Sequence, residues 1–371
     1  MKNLLSPRKR VELALQKKFV DKVPFAVYGN CWGAPSIENP IPPSGKFLPQ
    51  STIERYLRNQ GLCIVDLTYW GYKIVRPNVK VISTAYQENG RFMVRNDYKT
   101  PVGDLYTIKE ITNYTVWSHK KMFASKEDYK KILFLIEDSI ALPEYEYGFK
   151  LLNILGEDVI LRGDLGLEPL QELITGEYFK TEDFSIQWMD NRDEIIKLYN
   201  AITKLRRNIY KIVAKSPLYF ICYGGNVIPA LISPENFEKY YCPHYEEAAE
   251  VLHKKNKVLG CHFDADIKQY KNIISKTSLD VIEAFTPYPD TQMTIKEARF
   301  VWKDKILWIN FPSSLHLAPH KKIEEATINI INEGGPEGLI IGITEDVPEN
   351  RWQENFLTIM KTIDTKFNHP M

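Results

Sequence analysis

Eight short apolar runs recur along the chain, and most of them follow a longer amphipathic segment. They occupy 23–28, 62–68, 159–163, 218–223, 257–262, 279–284, 306–310 and 339–343. Most are β-branched or aromatic, and each is near the usual strand length of about five or six residues, so they predict strands. Helical periodicity predicts helices over 167–175, 191–216, 234–255, 267–276, 294–302, 321–333 and 351–366. Alternation that reaches eight strands predicts the α/β class and a (β/α)8 TIM barrel. A doubly wound open sheet is the alternative, but no G-x-G-x-x-G follows the first strand to support it.

One stretch breaks the alternation. Residues 72–117 read as alternating strands, with Asn89-Gly90 between two of them as a hairpin signal. This predicts an antiparallel meander inserted after the second strand of a single domain spanning 1–371, set to cover one mouth of the barrel. The Pro-rich segment 34–50 reads as a long loop on the same side as the strand ends, and so as a candidate lid.

Composition narrows the class. A hydrophobic fraction of 44% is enough for a sizeable core, and 48 Lys+Arg against 47 Asp+Glu argues against a polyanion-binding protein. No nucleic-acid motif is present. The five cysteines, Cys31, Cys63, Cys222, Cys242 and Cys261, are odd in number and form no C-x-x-C pair. That pattern fits reduced thiols in a cytoplasmic protein. The opening Ser6-Pro-Arg-Lys-Arg-Val-Glu-Leu reads as a helix start rather than a signal peptide. No apolar run reaches the roughly 20 residues that cross a bilayer, so no membrane partner is expected.

In a barrel, the carboxyl ends of the strands converge however far apart they lie in sequence. Collected in order, those ends offer Tyr28, Asn30 and Trp32, then Asp66, Tyr69 and Trp70, then Arg162 and Asp164. They continue with Tyr223 and Asn226, then His262, Asp264 and Asp266, then Glu283, Asn310, and finally Thr344, Glu345 and Asp346. The densest group follows the run 257–262. An imidazole among carboxylates suits either a divalent metal or proton transfer. Each residue also has a plainer reading. His262 can be a core histidine, Asp264 and Asp266 can cap the next helix, and Glu345 and Asp346 can cap the last one. Arg162 and Asp164 can be a bracing ion pair. There is no Walker loop, G-x-S-x-G or H-E-x-x-H.

Three segments carry a resemblance over nearly the whole chain. They are Ser6-Pro-Arg-Lys-Arg-Val…Asp21-Lys-Val-Pro, the run from Asn226-Val-Ile-Pro through Pro243-His-Tyr to His262-Phe-Asp, and Gly342-Ile-Thr-Glu-Asp-Val-Pro-Glu-Asn. Together they resemble the uroporphyrinogen decarboxylase superfamily, which implies the barrel independently. One arm of that superfamily decarboxylates uroporphyrinogen without a cofactor, and another moves methyl groups to or from a corrinoid protein or a thiol, using zinc. The decarboxylase arm carries an Arg-rich signature after the first strand. Here that place reads Tyr28-Gly-Asn-Cys-Trp-Gly-Ala-Pro-Ser, and no arginine occurs between Arg10 and Arg55. The thiol arm carries His-x-Cys after the fifth strand and a later cysteine. Here His262 matches, Asp264 replaces the cysteine, and no cysteine follows Cys261.

The resemblance therefore implies metal-assisted methyl transfer from a small methylated substrate to a corrinoid carried by a separate protein. His262, Asp264, Glu283 and Glu345 would hold zinc, and His262, Asp264 and Asp164 would carry the chemistry. Tyr28, Asn30, Trp32, Asp66, Tyr69, Arg162, Tyr223, Asn226 and Asn310 would contact substrate. A homodimer is compatible with the resemblance. The alternatives are a cofactor-free carboxy-lyase, with Arg162 holding the substrate, and a barrel that binds a small molecule without catalysis.

Overall fold

A computed structural model describes residues 5–29, 49, 51–112, 115–345 and 347–368. Each predicted apolar run supplies one strand: β1 (Phe25–Tyr28), β2 (Leu62–Asp66), β3 (Val159–Asp164), β4 (Phe220–Tyr223), β5 (Val258–His262), β6 (Val281–Phe285), β7 (Ile306–Asn310) and β8 (Leu339–Ile343). All neighbours pair in parallel, and β8 pairs back onto β1, so the sheet closes into the (β/α)8 barrel. The strands are buried on both faces, which is why they read as continuous apolar runs rather than alternating ones.

Ring contacts across the barrel show which side chains fill it. Phe220 on β4 stacks on Trp308 on β7, with centroids 5.5 Å apart. Those strands are not neighbours, so the contact crosses the interior. Two strand glycines make room for these rings. A Cβ at Gly260 would lie 3.0 Å from the Phe220 ring, and one at Gly342 would lie 2.5 Å from Trp308 Nε1. Side chains alternate along a strand, so two residues beyond this layer the same strands aim Cys222, His262 and Asn310 into the barrel's carboxyl end.

The chain divides into two compact units. The barrel strands lie in the first, made of 1–70, 145–164 and 217–371. Its opening helix, Pro7–Ala14, starts where expected, with Ser6 Oγ accepting from Lys9 N at 3.3 Å. The predicted helix 234–255 is two helices, Pro234–Tyr240 and Cys242–His253. Pro243 explains the break, since it lacks an N–H and fits only a first turn. The predicted helix 267–276 shrinks to a 3-10 turn, Lys268–Tyr270, and one helical turn, Lys271–Ile274. Helices Thr52–Gln60 and Tyr145–Ile154 were not predicted. The first carries a legible signature: Ser51 Oγ accepts from Glu54 N at 3.1 Å, and Gly61 ends it at φ +117°.

The second unit, 71–144 with 165–216, holds a four-stranded antiparallel meander built from Lys80–Glu88, Arg91–Lys99, Leu105–Ile111 and Val116–Lys120. Asn89 and Gly90 both have positive φ, 51° and 77°, as the two-residue hairpin requires. Tyr72–Val75, predicted as the start of this meander, instead pairs with Ile140–Pro143 in a separate two-stranded ladder. Helices Asp128–Glu137, Pro169–Thr175, Thr181–Asp190 and Arg192–Val213 complete the unit. Among the described residues, no helix is long and apolar enough to cross a membrane.

Candidate active site

Glu283, fully buried on β6, is the hub of the barrel's carboxyl end. Its Oε2 lies 2.7 Å from His262 Nδ1, 3.5 Å from Arg162 Nη2 and 3.8 Å from the Cys222 thiol. Its Oε1 accepts the Tyr28 hydroxyl. The next residue, Ala284, has φ +57°, and the β6–β7 register shifts between Ile282 and Phe285. A left-handed alanine at a strand irregularity is a strained backbone, and it stands directly beside the hub.

Two more carboxylates complete the cluster. Arg162 Nη1 donates to Asp164 Oδ2 at 3.1 Å, and His262 Nε2 faces Asp264 Oδ2 at 3.5 Å. Both imidazole nitrogens therefore face carboxylate oxygens, an arrangement that favours the protonated ring. Burial opposes that charge. Glu283 and Asp264 outweigh it and push the His262 pKa up to about 10. Burial likewise opposes the Glu283 carboxylate, but Arg162 and then His262 bring it down to about 2. Burial pushes the Tyr28 hydroxyl and the Cys222 thiol well above their ordinary values, so both stay protonated. Taken as formal charges, the cluster holds two cations, Arg162 and His262, and three carboxylates, Asp164, Asp264 and Glu283.

The loop after β4 rests on this cluster. Gly225 has φ +63°, and a Cβ there would lie 1.7 Å from the His262 carbonyl oxygen. Asn226 N donates to the same oxygen at 3.3 Å. Gly225→Ala is thus expected to destabilise the protein by at least about 1–2 kcal/mol from the left-handed backbone alone, and to displace His262. Thermal unfolding of the variant checks this, and an unchanged melting temperature would contradict it.

Of the residues expected at the site, the structure brings together Tyr28, Arg162, Asp164, His262, Asp264 and Glu283. Cys222 joins them without having been anticipated, since only the Phe220–Trp308 ring contact shows which residues of that run face inwards. Tyr223 is a correction. It follows Cys222 and so faces the opposite way, where its ring meets Tyr245 of an outer helix at 5.7 Å. Tyr69 is another: it is buried against Tyr147 of helix Tyr145–Ile154, with centroids 5.9 Å apart.

Three further residues serve their surroundings. Asp66 closes its own turn, accepting from Thr68 N at 3.1 Å and Thr68 Oγ1 at 2.7 Å. Asn310 ties strand ends together, donating to Thr286 Oγ1 at 3.0 Å and accepting from Thr344 N at 3.1 Å. Asp266 accepts from Lys268 N at 3.2 Å, closing a local turn, and is not the N-cap expected of it, since Ile267 holds that position without a side-chain bond. Asn226 and Glu345 have exposed side chains, and Trp70 is half-exposed. Asn30, Trp32, Asp346 and nearly all of the proposed lid 34–50 lie outside the described residues.

Three of the expected zinc ligands, His262, Asp264 and Glu283, are engaged with one another and with Arg162 rather than set around an open site. No group of three or more His, Cys, Asp or Glu side chains suited to a metal ion occurs among the described residues. Glu283 is saturated by Tyr28, His262 and Arg162, and a guanidinium beside it repels a cation. A separate cleft of about 500 Å³ is lined by Ile228, Pro229, Ala230, Asp266, Lys268 and Gln292 among others, and contains no member of the cluster.

No family model and no curated protein matches the sequence. The fold resembles a methyltransferase from Methanosarcina mazei, with TM-score 0.59 and 13% identity over 98% of this chain and 99% of that one. A weaker likeness, TM-score 0.46 and 10% identity over 85% of each chain, is to a B12-independent methionine synthase from a Shewanella species. At these identities the first likeness shows the barrel fold alone, and the second carries no argument.

Proposed function

We propose that this barrel is an acid-assisted methyltransferase, in which His262 gives a proton to the heteroatom that loses a methyl group. One observation carries the reading: at the carboxyl end of β5, His262 Nδ1 lies 2.7 Å from the fully buried Glu283 carboxylate, which favours the protonated ring. Methyl transfer as the reaction class rests on the resemblance to the methyltransferase arm of the uroporphyrinogen decarboxylase superfamily, and on the Methanosarcina mazei methyltransferase that shares the fold.

In the proposed step, the bond between the methyl carbon and an oxygen, nitrogen or sulfur of the donor breaks. Its electron pair stays on the heteroatom, which takes the proton from His262 Nε2. That nitrogen is the available one, since Asp264 stands 3.5 Å from it whereas Nδ1 is committed to Glu283 at 2.7 Å. The methyl group passes to a nucleophile outside this chain, and solvent returns the proton. A corrinoid presented by a separate carrier protein supplies such a nucleophile. No step runs through zinc, because the Glu283 carboxylate is already engaged by Tyr28, His262 and Arg162.

The excess of carboxylates over cations favours a neutral or cationic donor, such as a methyl ether or a methylamine. It disfavours the carboxy-lyase reading, since Arg162, the cation expected to hold a substrate carboxylate, already pairs with Asp164 and Glu283. The test uses free cob(I)alamin as acceptor and a panel of methyl ethers, methylamines and methyl thioethers, reading methylcobalamin by absorbance. At least one donor is expected to react with the wild type. Failure of every donor, with carbon dioxide released from a carboxylic acid instead, would overturn the reading in favour of the lyase.

A further inference from the structure

Among the described residues, the outermost strand of the meander, Lys80–Glu88, pairs on one side only, with Arg91–Lys99. It is nine residues long, and every residue except Tyr86 is exposed. Val81 and Ile82 are 47% and 41% exposed. Natural sheets blunt such an edge with proline, a bulge or inward-pointing charges. This strand has none of these: its interior, Val-Ile-Ser-Thr-Ala-Tyr-Gln, is uncharged and rich in strand formers. Its pairing to the neighbouring strand is continuous over all nine residues.

The sequence of the strand is also complementary to itself. Placed antiparallel to a second copy about a two-fold axis at Thr84, Lys80 meets Glu88, Ile82 meets Tyr86, and Thr84 meets Thr84. These all lie on one face. They are an opposite-charge pair, an aromatic with a β-branched side chain, and a threonine pair, three kinds of cross-strand contact that stabilise antiparallel sheets. The other face pairs Val81 with Gln87 and Ser83 with Ala85, without a like-charge clash. Moving the axis by one residue either way leaves Lys80 opposite Tyr86, or Glu88 opposite Ile82, and loses both ion pairs. Within its own sheet Lys80 stands opposite Lys99, which Asp104 already holds at 2.6 Å, so the acidic partner it lacks there is supplied by the second copy.

We infer that two copies of this chain associate through the free edge of Lys80–Glu88, in that register, to form one eight-stranded sheet from two meanders. The pairing is isologous and leaves that edge of neither meander open. It is independent of the methyltransferase reading, since no residue of the active-site cluster lies on this strand.

Sedimentation velocity over a dilution series tests it, with Lys80→Glu, Glu88→Lys and the double exchange. The wild type is expected to dimerise in a concentration-dependent way. Each single change puts like charges opposite each other at two symmetry-related places and is expected to weaken the dimer roughly tenfold. The double exchange restores opposite charges and is expected to recover most of that loss. Both residues are exposed, and circular dichroism confirms that each variant is folded. A monomer at every concentration, a dimer indifferent to the single changes, or single changes not rescued by the double one would each overturn the proposal.

Discussion

Replacing His262 with glutamine is expected to lower turnover by about 10²–10⁴-fold, the usual contribution of a positioned general acid, while the protein stays folded. Glutamine keeps a hydrogen-bonding group near Glu283 but cannot deliver a proton. The loss should fall on kcat rather than KM, because the proton moves only as the leaving heteroatom gains charge. It should also depend on the donor. A donor whose heteroatom leaves easily without protonation, such as a sulfonium, is expected to be hurt far less than a methyl ether. The cob(I)alamin assay with both donors measures the contrast. Equal losses for the two would mean that His262 only shapes the pocket.

Glu283→Gln should have the largest effect on stability. Glu283 is fully buried and lies against two cations, so a neutral side chain leaves Arg162 and His262 without their shared counter-charge. Breaking a buried pair by removing one partner costs about 3–5 kcal/mol, and chemical denaturation measures it. The pH dependence has a definite sign. The His262 pKa is raised from 6.5 to about 10 on folding, so its contribution is full below 6.5 and lost as pH climbs through about 10. The Glu283 pKa is lowered from 4.5 to about 2, so its contribution is full above 4.5 and lost as pH falls through about 2. Wild type and Glu283→Gln should therefore differ most between pH 4.5 and 6.5, converge as pH falls through about 2, and keep only the Arg162 share of the difference as pH climbs through about 10. A difference that stays constant as pH falls from 4.5 to about 2 would show that Glu283 acts through packing rather than charge.

The barrel was legible because its strands are buried on both faces, leaving eight compact apolar runs between amphipathic helices. The ends of those runs led to His262, Asp264, Arg162, Asp164, Tyr28 and Glu283. Their relationships were not legible. Glu283 read as a metal ligand because a carboxylate ending an apolar strand looks the same whether it faces a metal or a histidine. Only the structure shows Arg162 beside it, which makes a carboxylate hub the better reading. Tyr223 and Cys222 were exchanged in importance because which neighbour faces inwards depends on the ring layer of Phe220 and Trp308, a long-range contact. The helices Asp128–Glu137 and Thr181–Asp190 were missed because they lie in stretches outside the strand–helix repeat.

The charge on His262 decides the mechanism, and nitrogen-15 NMR of histidine-labelled protein reads it directly. The chain has seven histidines, and His262→Gln assigns the one in question. At pH 8 both ring nitrogens of His262 are expected to carry protons, and the ring should titrate only as pH approaches about 10. A neutral ring at pH 8, with its midpoint at or below the ordinary 6.5, would contradict the acid-assisted mechanism.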